Sequence, residues 1–305
     1  SIRLRAKSFG VDISLFYSTQ VTTSSPWGYG RSASVHGRVL GDPSTGFVFI
    51  ERGDFTRFQF DKAGTVGTVT SYDTASVNGT TTLSYDSATE EFTEYFVDGS
   101  RLIYKKQKSA GSVHELVRVT DAAGYAHTYS YGAGVEEGLL KAIQTPGGRT
   151  VSFAYQAGSG TSLVHTVEDW SGRVWTMQFD GSDRLTTYTA ASGCMTKYGY
   201  NTFGSNVLLE FVEDPRGYRT SYGYDLQKRV TSMEGGTATY AYTYTSGVTA
   251  ITQPNGGVVT LGYGSNWLLA TQQDPSGSIT SFGYDANFNQ TKVTDPLGNV
   301  TTSVF

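Results

Sequence analysis

The chain has 305 residues, a formal net charge of −4 and 16% charged residues. It carries no basic stripe, which excludes a nucleic-acid-binding surface. Its longest apolar runs, such as FVFI at 47–50, are too short to span a membrane.

With 37 Gly, 21 Tyr and 16 Phe, and with Thr and Val abundant, the composition suits pleated strands rather than helices. The predicted class is all-β. Cys194 is the only cysteine, so no internal disulfide can form.

Residues 1–118 read as an irregular β segment. SIRLRAKS at the start is strand-like and has no evident partner. There is no initiating Met and no signal-peptide pattern. The chain also closes on strand-like sequence, NVTTSVF, and a piece of a longer polypeptide is expected. PWGYGRSASVHGRV (26–39) leads into a strand pair, FVFIERGDFTRFQFDKAG (47–64).

From 119 to 305 the chain repeats itself. Tyr131, Tyr155, Phe179, Tyr200, Tyr224, Tyr244, Tyr263, Tyr284 and Phe305 recur at intervals of roughly 20 to 24 residues. The turn glycines Gly124, Gly148, Gly172, Gly193, Gly217, Gly236, Gly257, Gly277 and Gly298 keep the same phase.

Each unit decodes as a β-hairpin. DPRG, DPSG and DPLG fit a type I turn with Asp at i, Pro at i+1 and Gly at i+3. The turn residues are Asp121 and Gly124, Asp169 and Gly172, Asp214, Pro215 and Gly217, Asp274, Pro275 and Gly277, and Asp295, Pro296 and Gly298. After the turn comes alternating sequence, so that two aromatics two apart share one face. These pairs are Tyr129 and Tyr131, Phe153 and Tyr155, Tyr198 and Tyr200, Tyr222 and Tyr224, Tyr242 and Tyr244, and Phe282 and Tyr284. A lone hairpin is marginal in water, so each unit needs its neighbours, and the aromatic pairs form a ladder across them.

Chemistry-bearing residues are sparse. His36, His114, His127 and His165 show no metal-ligand spacing. His165 lies near Glu168 and Asp169, but strand alternation separates their directions. The recurrent turn aspartates suggest either calcium binding or turn capping, and the chain lacks the glycine-rich calcium-roll pattern, which favours capping. The acidic pairs at 90–91 and 136–137 are adjacent in sequence, whereas paired catalytic carboxylates need a shared face. Trp27, Trp170, Trp175 and Trp267 could stack on sugar or pack between hairpins. The sequons NGT (78–80), NQT (289–291) and NVT (299–301) match an Asn/Gly/Thr-rich composition.

DPRGYRTSYGYD (214–225) and DPSGSITSFGYD (274–285), with DAAGYAHTYSY (121–131) and DPLGNVTTSVF (295–305), resemble the YD-repeat or Rhs family. In that family the hairpins wind as a strip of sheet into a hollow shell. Bacterial members are polymorphic toxins and toxin-complex components whose shell encloses a C-terminal toxic domain, and teneurins carry a related shell. The resemblance implies tandem hairpins in a long, curved antiparallel sheet or solenoid-like shell strip. Its expected role is a secreted or cell-surface scaffold without enzymatic activity or cofactor. Asn299 replaces the Leu of the family's terminal DPxGL processing sequence, so self-cleavage is not carried over.

The partners implied are further YD repeats of the same or another chain and an enclosed toxin domain. The alternative is a self-assembling surface fibre, tube or adhesin, with a glycan as a further partner. Nucleic acid and a membrane span are not expected.

Overall fold

The computed structural model describes residues 2–4, 10–74, 81–159, 161–285 and 288–304. Apart from one 3-10 turn at Gly134–Glu136, its regular elements are β-strands. The all-β expectation and the tandem-hairpin strip are borne out. The NGT sequon lies outside the described residues, as does Phe305. Two compact units divide the chain, Ser1–Met195 and Thr196–Phe305.

Unit 1 opens with three short pairings. β1 (Ile2–Leu4) pairs with β2 (Val11–Ile13), β3 (Leu15–Tyr17) with β6 (Arg31–Ala33), and β4 (Ser24–Ser25) with β5 (Gly28–Tyr29). The opening strand therefore has a partner, contrary to the expectation from SIRLRAKS, because the chain turns back on itself.

The stretch that reads as irregular in sequence then forms a closed barrel of eight antiparallel strands. They are β7 (Arg38–Leu40), β8 (Phe47–Glu51), β9 (Arg57–Val66), β10 (Val69–Thr74), β11 (Thr81–Asp86), β12 (Glu91–Phe96), β13 (Arg101–Lys106) and β14 (Val113–Thr120). Each pairs with the next, and β14 closes the ring on β7, with Glu115 opposite Arg38. At about eight strands a barrel interior is just filled by side chains. The core holds one or two from every strand: Val39, Val48, Ile50, Phe60, Tyr72, Leu83, Phe92, Tyr104 and Leu116. β14 runs across the 118/119 division of the sequence and ends at Thr120.

One polar network sits inside this barrel. Glu94 lies on the Phe92 face of β12 and is almost fully buried. It pairs with Arg52 and accepts from Tyr104 Oη (2.9 Å) and Thr81 Oγ1 (2.9 Å), while Arg52 also donates to Tyr104 (2.6 Å). A charge taken from water is tolerable only when its hydrogen-bonding capacity is met in this way.

Unit 1 continues with β15 (Ala126–Tyr131), β16 (Leu140–Gln144), β17 (Thr150–Ala157), β18 (Ser162–Glu168), β19 (Val174–Phe179) and β20 (Leu185–Thr189). Ile143, Val151, Phe153, Leu163, Val167, Trp175 and Met177 are buried here. The segment Pro26–Tyr29 packs on them. Trp27 meets Phe153 edge-on at 6.1 Å, Val164 N–H donates to Pro26 O, and Tyr29 N–H donates to Asp183 O. Gly28 is required: a Cβ there would lie 2.8 Å from Asp183 O and 2.9 Å from the Phe179 ring.

Unit 2 is a run of hairpins: β21 (Met195–Phe203), β22 (Asn206–Glu213), β23 (Arg219–Tyr224), β24 (Val230–Gly235), β25 (Ala238–Thr245), β26 (Val248–Thr252), β27 (Val258–Tyr263), β28 (Leu269–Gln273), β29 (Ile279–Tyr284), β30 (Gln290–Thr294) and β31 (Val300–Thr302). β21 begins one residue before the unit does. Among the described residues from Phe211 onward none is fully buried; the ladder side chains are half-buried. β31 pairs with β30, so NVTTSVF also finds a partner on one side.

Candidate functional site

The repeat contains two turns, one at each end of the hairpin. In the first, Asp214 Oδ1 accepts from the backbone N–H of Arg216 (2.8 Å) and Tyr218 (2.9 Å), and Gly217 N–H donates to Asp214 O. Gly217 has φ +85°, the left-handed region that glycine enters without strain. Asp121, Asp169, Asp274 and Asp295 make the same pair of bonds to residues i+2 and i+4. At 253–257 the left-handed residue is Gly256, not the Gly257 of the sequence series.

The second turn is less visible in sequence. The Asp that follows the tyrosine pair caps it: Asp225 Oδ1 accepts from Arg229 N–H (2.8 Å), and Asp285 Oδ1 from Asn289 N–H (2.9 Å). Its left-handed position holds a non-glycine residue, Lys228 or Phe288, with Asp183 and Trp267 at equivalent places. Sequence reasoning missed these turns because their glycine signal is absent.

The second tyrosine of each pair does more than fill a ladder. Opposite Tyr131, Tyr155, Tyr200, Tyr224 and Tyr284 the partner strand carries an extra residue, a β-bulge, whereas Tyr244 pairs in unbroken register. The bulge bends the strand away, and the next hairpin pairs with only part of it. Between β22 and β23 the ladder ends at Phe211 opposite Ser221.

Beyond that point the tyrosine hydroxyl of the next hairpin donates to a carbonyl of the preceding one. Tyr131 donates to Leu116 O (2.8 Å), Tyr155 to Leu140 O (2.7 Å), Tyr224 to Leu209 O (2.8 Å), Tyr244 to Val230 O (2.8 Å) and Tyr284 to Leu269 O (2.9 Å). Burial pushes the Tyr131 and Tyr155 phenols well above their ordinary range, so they remain donors. Phe179 stands in the same series without a hydroxyl. There the Pro26–Tyr29 segment packs, and Pro26 O accepts from the Val164 N–H.

The other sequence candidates disperse. Trp27 and Trp175 are buried, so neither can stack on a sugar. Trp170 lies under the Arg149 guanidinium at 5.0 Å, and Trp267 is exposed. His165 Nδ1 is 3.2 Å from Met177 O. Glu136 pairs with Lys141, while Glu137 accepts from Ser109 N–H. Among the described residues no three His, Cys, Asp or Glu side chains come together to hold a metal.

A pocket lies where sequence reasoning placed none. It sits outside the barrel at the β7–β14 seam, a cavity of about 310 Å³ roofed by residues 21–26 and 31–36. Its floor is part of a charged row in cross-strand register: Glu91, Lys105, Glu115, Arg38, Glu51 and Arg57. Arg38 and Arg57 both bind Glu51, with Nε at 2.7 Å and 2.6 Å from its two oxygens. Burial works to raise Glu51, but the two guanidiniums hold it below the usual range. Lys105 turns to Glu91 (3.3 Å). Glu115 is left with His36 Nε2 at 4.0 Å. Burial raises Glu115, and burial with Arg38 lowers His36 to about 4. The row escaped the sequence reading because Arg38 and Glu115 meet only on barrel closure.

Residues 264–300 match the RHS repeat family model. That stretch, which includes DPSGSITSFGYD, thus carries an RHS repeat, as the resemblance of that segment implies. No curated protein matches.

Among solved structures, the N-terminal domain of effector protein SpvB from Salmonella typhimurium strain LT2 is similar at 13% identity and a TM-score of 0.40, covering 73% of this chain and 99% of that one. A TcdB2-TccC3 structure is similar at 12% identity and a TM-score of 0.35, covering 87% of this chain and 21% of that one. The Photorhabdus luminescens Tc holotoxin pore is similar at 14% identity and a TM-score of 0.34, covering 84% and 19%.

Proposed function

We propose that this chain is a non-enzymatic structural β scaffold, a segment of an RHS-repeat shell that encloses or presents a cargo domain outside the cell. The observation that carries the reading is the tyrosine tie. At Tyr131, Tyr155, Tyr224, Tyr244 and Tyr284 the hydroxyl of one hairpin bonds a carbonyl of the one before it, so repeats are stable in series rather than singly. The motif residues are spent on turns and ties, which leaves the outward side chains and turn tips to vary with the partner. Further RHS repeats and a toxin-type cargo domain are the partners this reading assigns.

The test is electron microscopy of the natural polypeptide together with protease digestion read by mass spectrometry. Discrete hollow particles with a protease-resistant cargo segment are expected. Long regular fibres would favour the self-assembling surface polymer instead. A cargo cut as fast inside the polypeptide as when free would overturn the reading.

A further inference from the structure

The seam pocket points to a ligand, and this inference is independent of the scaffold reading. We propose that the cavity between the barrel seam and residues 21–36 binds a small hydroxylated carboxylate, the size of a hydroxy acid or a single sugar acid.

The first argument is the unmet carboxylate. The Glu115 side chain is 8% exposed, and its Oε2 is buried with no hydrogen-bond partner among the described residues. An unsatisfied buried charge is costly, and native folds avoid leaving one. Its two cationic neighbours in register are committed elsewhere, Arg38 to Glu51 and Lys105 to Glu91. His36 Nε2 lies 4.0 Å away, beyond hydrogen-bond distance. What Glu115 Oε2 lacks is a donor within hydrogen-bond distance, and a ligand hydroxyl supplies one.

The second argument is charge. The lining carries Arg31, Arg38, Arg57 and Lys108 against Glu51 and Glu115, a positive excess in a chain of net charge −4. That excess disfavours an amine and favours a ligand that also bears a carboxylate, with the exposed Lys108 placed to receive it.

The third argument is size and shape. A cavity of about 310 Å³ is at the small end of ligand sites. Phe55 lines it from a turn in the left-handed region, φ +70°. A bulky residue adopts that conformation only when its surroundings impose it, and such residues collect at binding sites. Its ring offers an apolar wall beside the polar floor.

The experiment is calorimetric titration of the whole chain with D-glucuronate, with D-glucose, acetate and L-lysine as comparators. D-Glucuronate should bind saturably at one site, and the comparators more weakly. Glu115→Gln keeps the shape and removes the charge, and Lys108→Ala changes an exposed rim residue. Glu115→Gln should weaken binding roughly tenfold or more, the size of a lost hydrogen bond to a charged group.

Thermal unfolding separates this from a structural role. Without ligand, Glu115→Gln should unfold at or above the parent temperature, because the unpaired charge is gone. A lower unfolding temperature in that variant would mean that Glu115 is structural and would overturn the proposal. So would absence of D-glucuronate binding, binding unaffected by both variants, or equal binding of L-lysine.

Discussion

The hydroxyl of Tyr224 donates to the carbonyl of Leu209 at 2.8 Å, joining a hairpin to the one before it. Leu209 stands opposite Tyr200, beside the bulge that Tyr200 marks. Tyr224 marks a bulge in its turn, opposite Val230, and Tyr244 donates to that carbonyl. Each of these two hydroxyls thus reaches a carbonyl beside the bulge of the preceding unit.

Replacing Tyr224 by Phe keeps the ring and removes the tie. The variant should lose about 1 kcal/mol of unfolding free energy, the net value of one such hydrogen bond. Urea denaturation measures it, and Tyr218→Phe, a change at an exposed turn residue, is the control that should leave stability unchanged.

The glycine between the two tyrosines is a packing requirement. A Cβ on Gly199 would lie 1.9 Å from the Phe211 ring, which Arg219 covers on stacking at 3.7 Å. Gly199→Ala should cost about 1–3 kcal/mol by overpacking. Gly217→Ala meets nothing within 4 Å but is held at φ +85°, and should cost about 1–2 kcal/mol through backbone strain. A compensating Phe211→Ala should rescue Gly199→Ala and leave Gly217→Ala unimproved, as denaturation of the double variants would reveal.

Two ion pairs contrast burial. Arg52→Met strands the Glu94 carboxylate inside the barrel and should cost about 3–5 kcal/mol. Arg216→Met breaks a pair to Asp214 in which the Arg side chain is 79% exposed, and should change stability by under about 1 kcal/mol. Thermal unfolding of the two variants in parallel gives the comparison.

Acid stability should report Asp169. Burial works to raise its pKa, but hydrogen bonds from Arg173, Ser171 and their backbone N–H groups outweigh that and bring it down to about 2. A carboxylate with a depressed folded-state pKa stabilises fully above its unfolded pKa near 4 and loses that contribution as pH falls through its folded value. The contribution is about 2 kcal/mol at neutral pH. The gap in stability between the parent and Asp169→Asn should therefore be constant above about pH 5 and close between about pH 4 and 2, followed by denaturation across that range.

The repeat was legible because its determinants are local. Asp214, Pro215 and Gly217 set a turn within four residues, and Tyr222 and Tyr224 share a face by alternation alone. The role of the Tyr224 hydroxyl was not legible, since its acceptor lies fifteen residues back across a bulge that no residue type announces. Asp225 looked like a motif ending, yet it caps a second turn whose left-handed residue is Lys228. The barrel was hidden because Arg38 and Glu115 pair across more than seventy residues of sequence, and because Glu94 and Arg52 break the apolar alternation of its inner face. The pocket follows from that same closure, so it left no local signature either.

The central claim is that tyrosine ties make successive hairpins one cooperative strip. Native-state hydrogen exchange on Tyr244→Phe tests it most directly. The account predicts that protection falls in β25 and also in the preceding hairpin, β23–β24, whose Val230 carbonyl loses its donor. Loss confined to β25, with β23–β24 protected as in the parent chain, would contradict it.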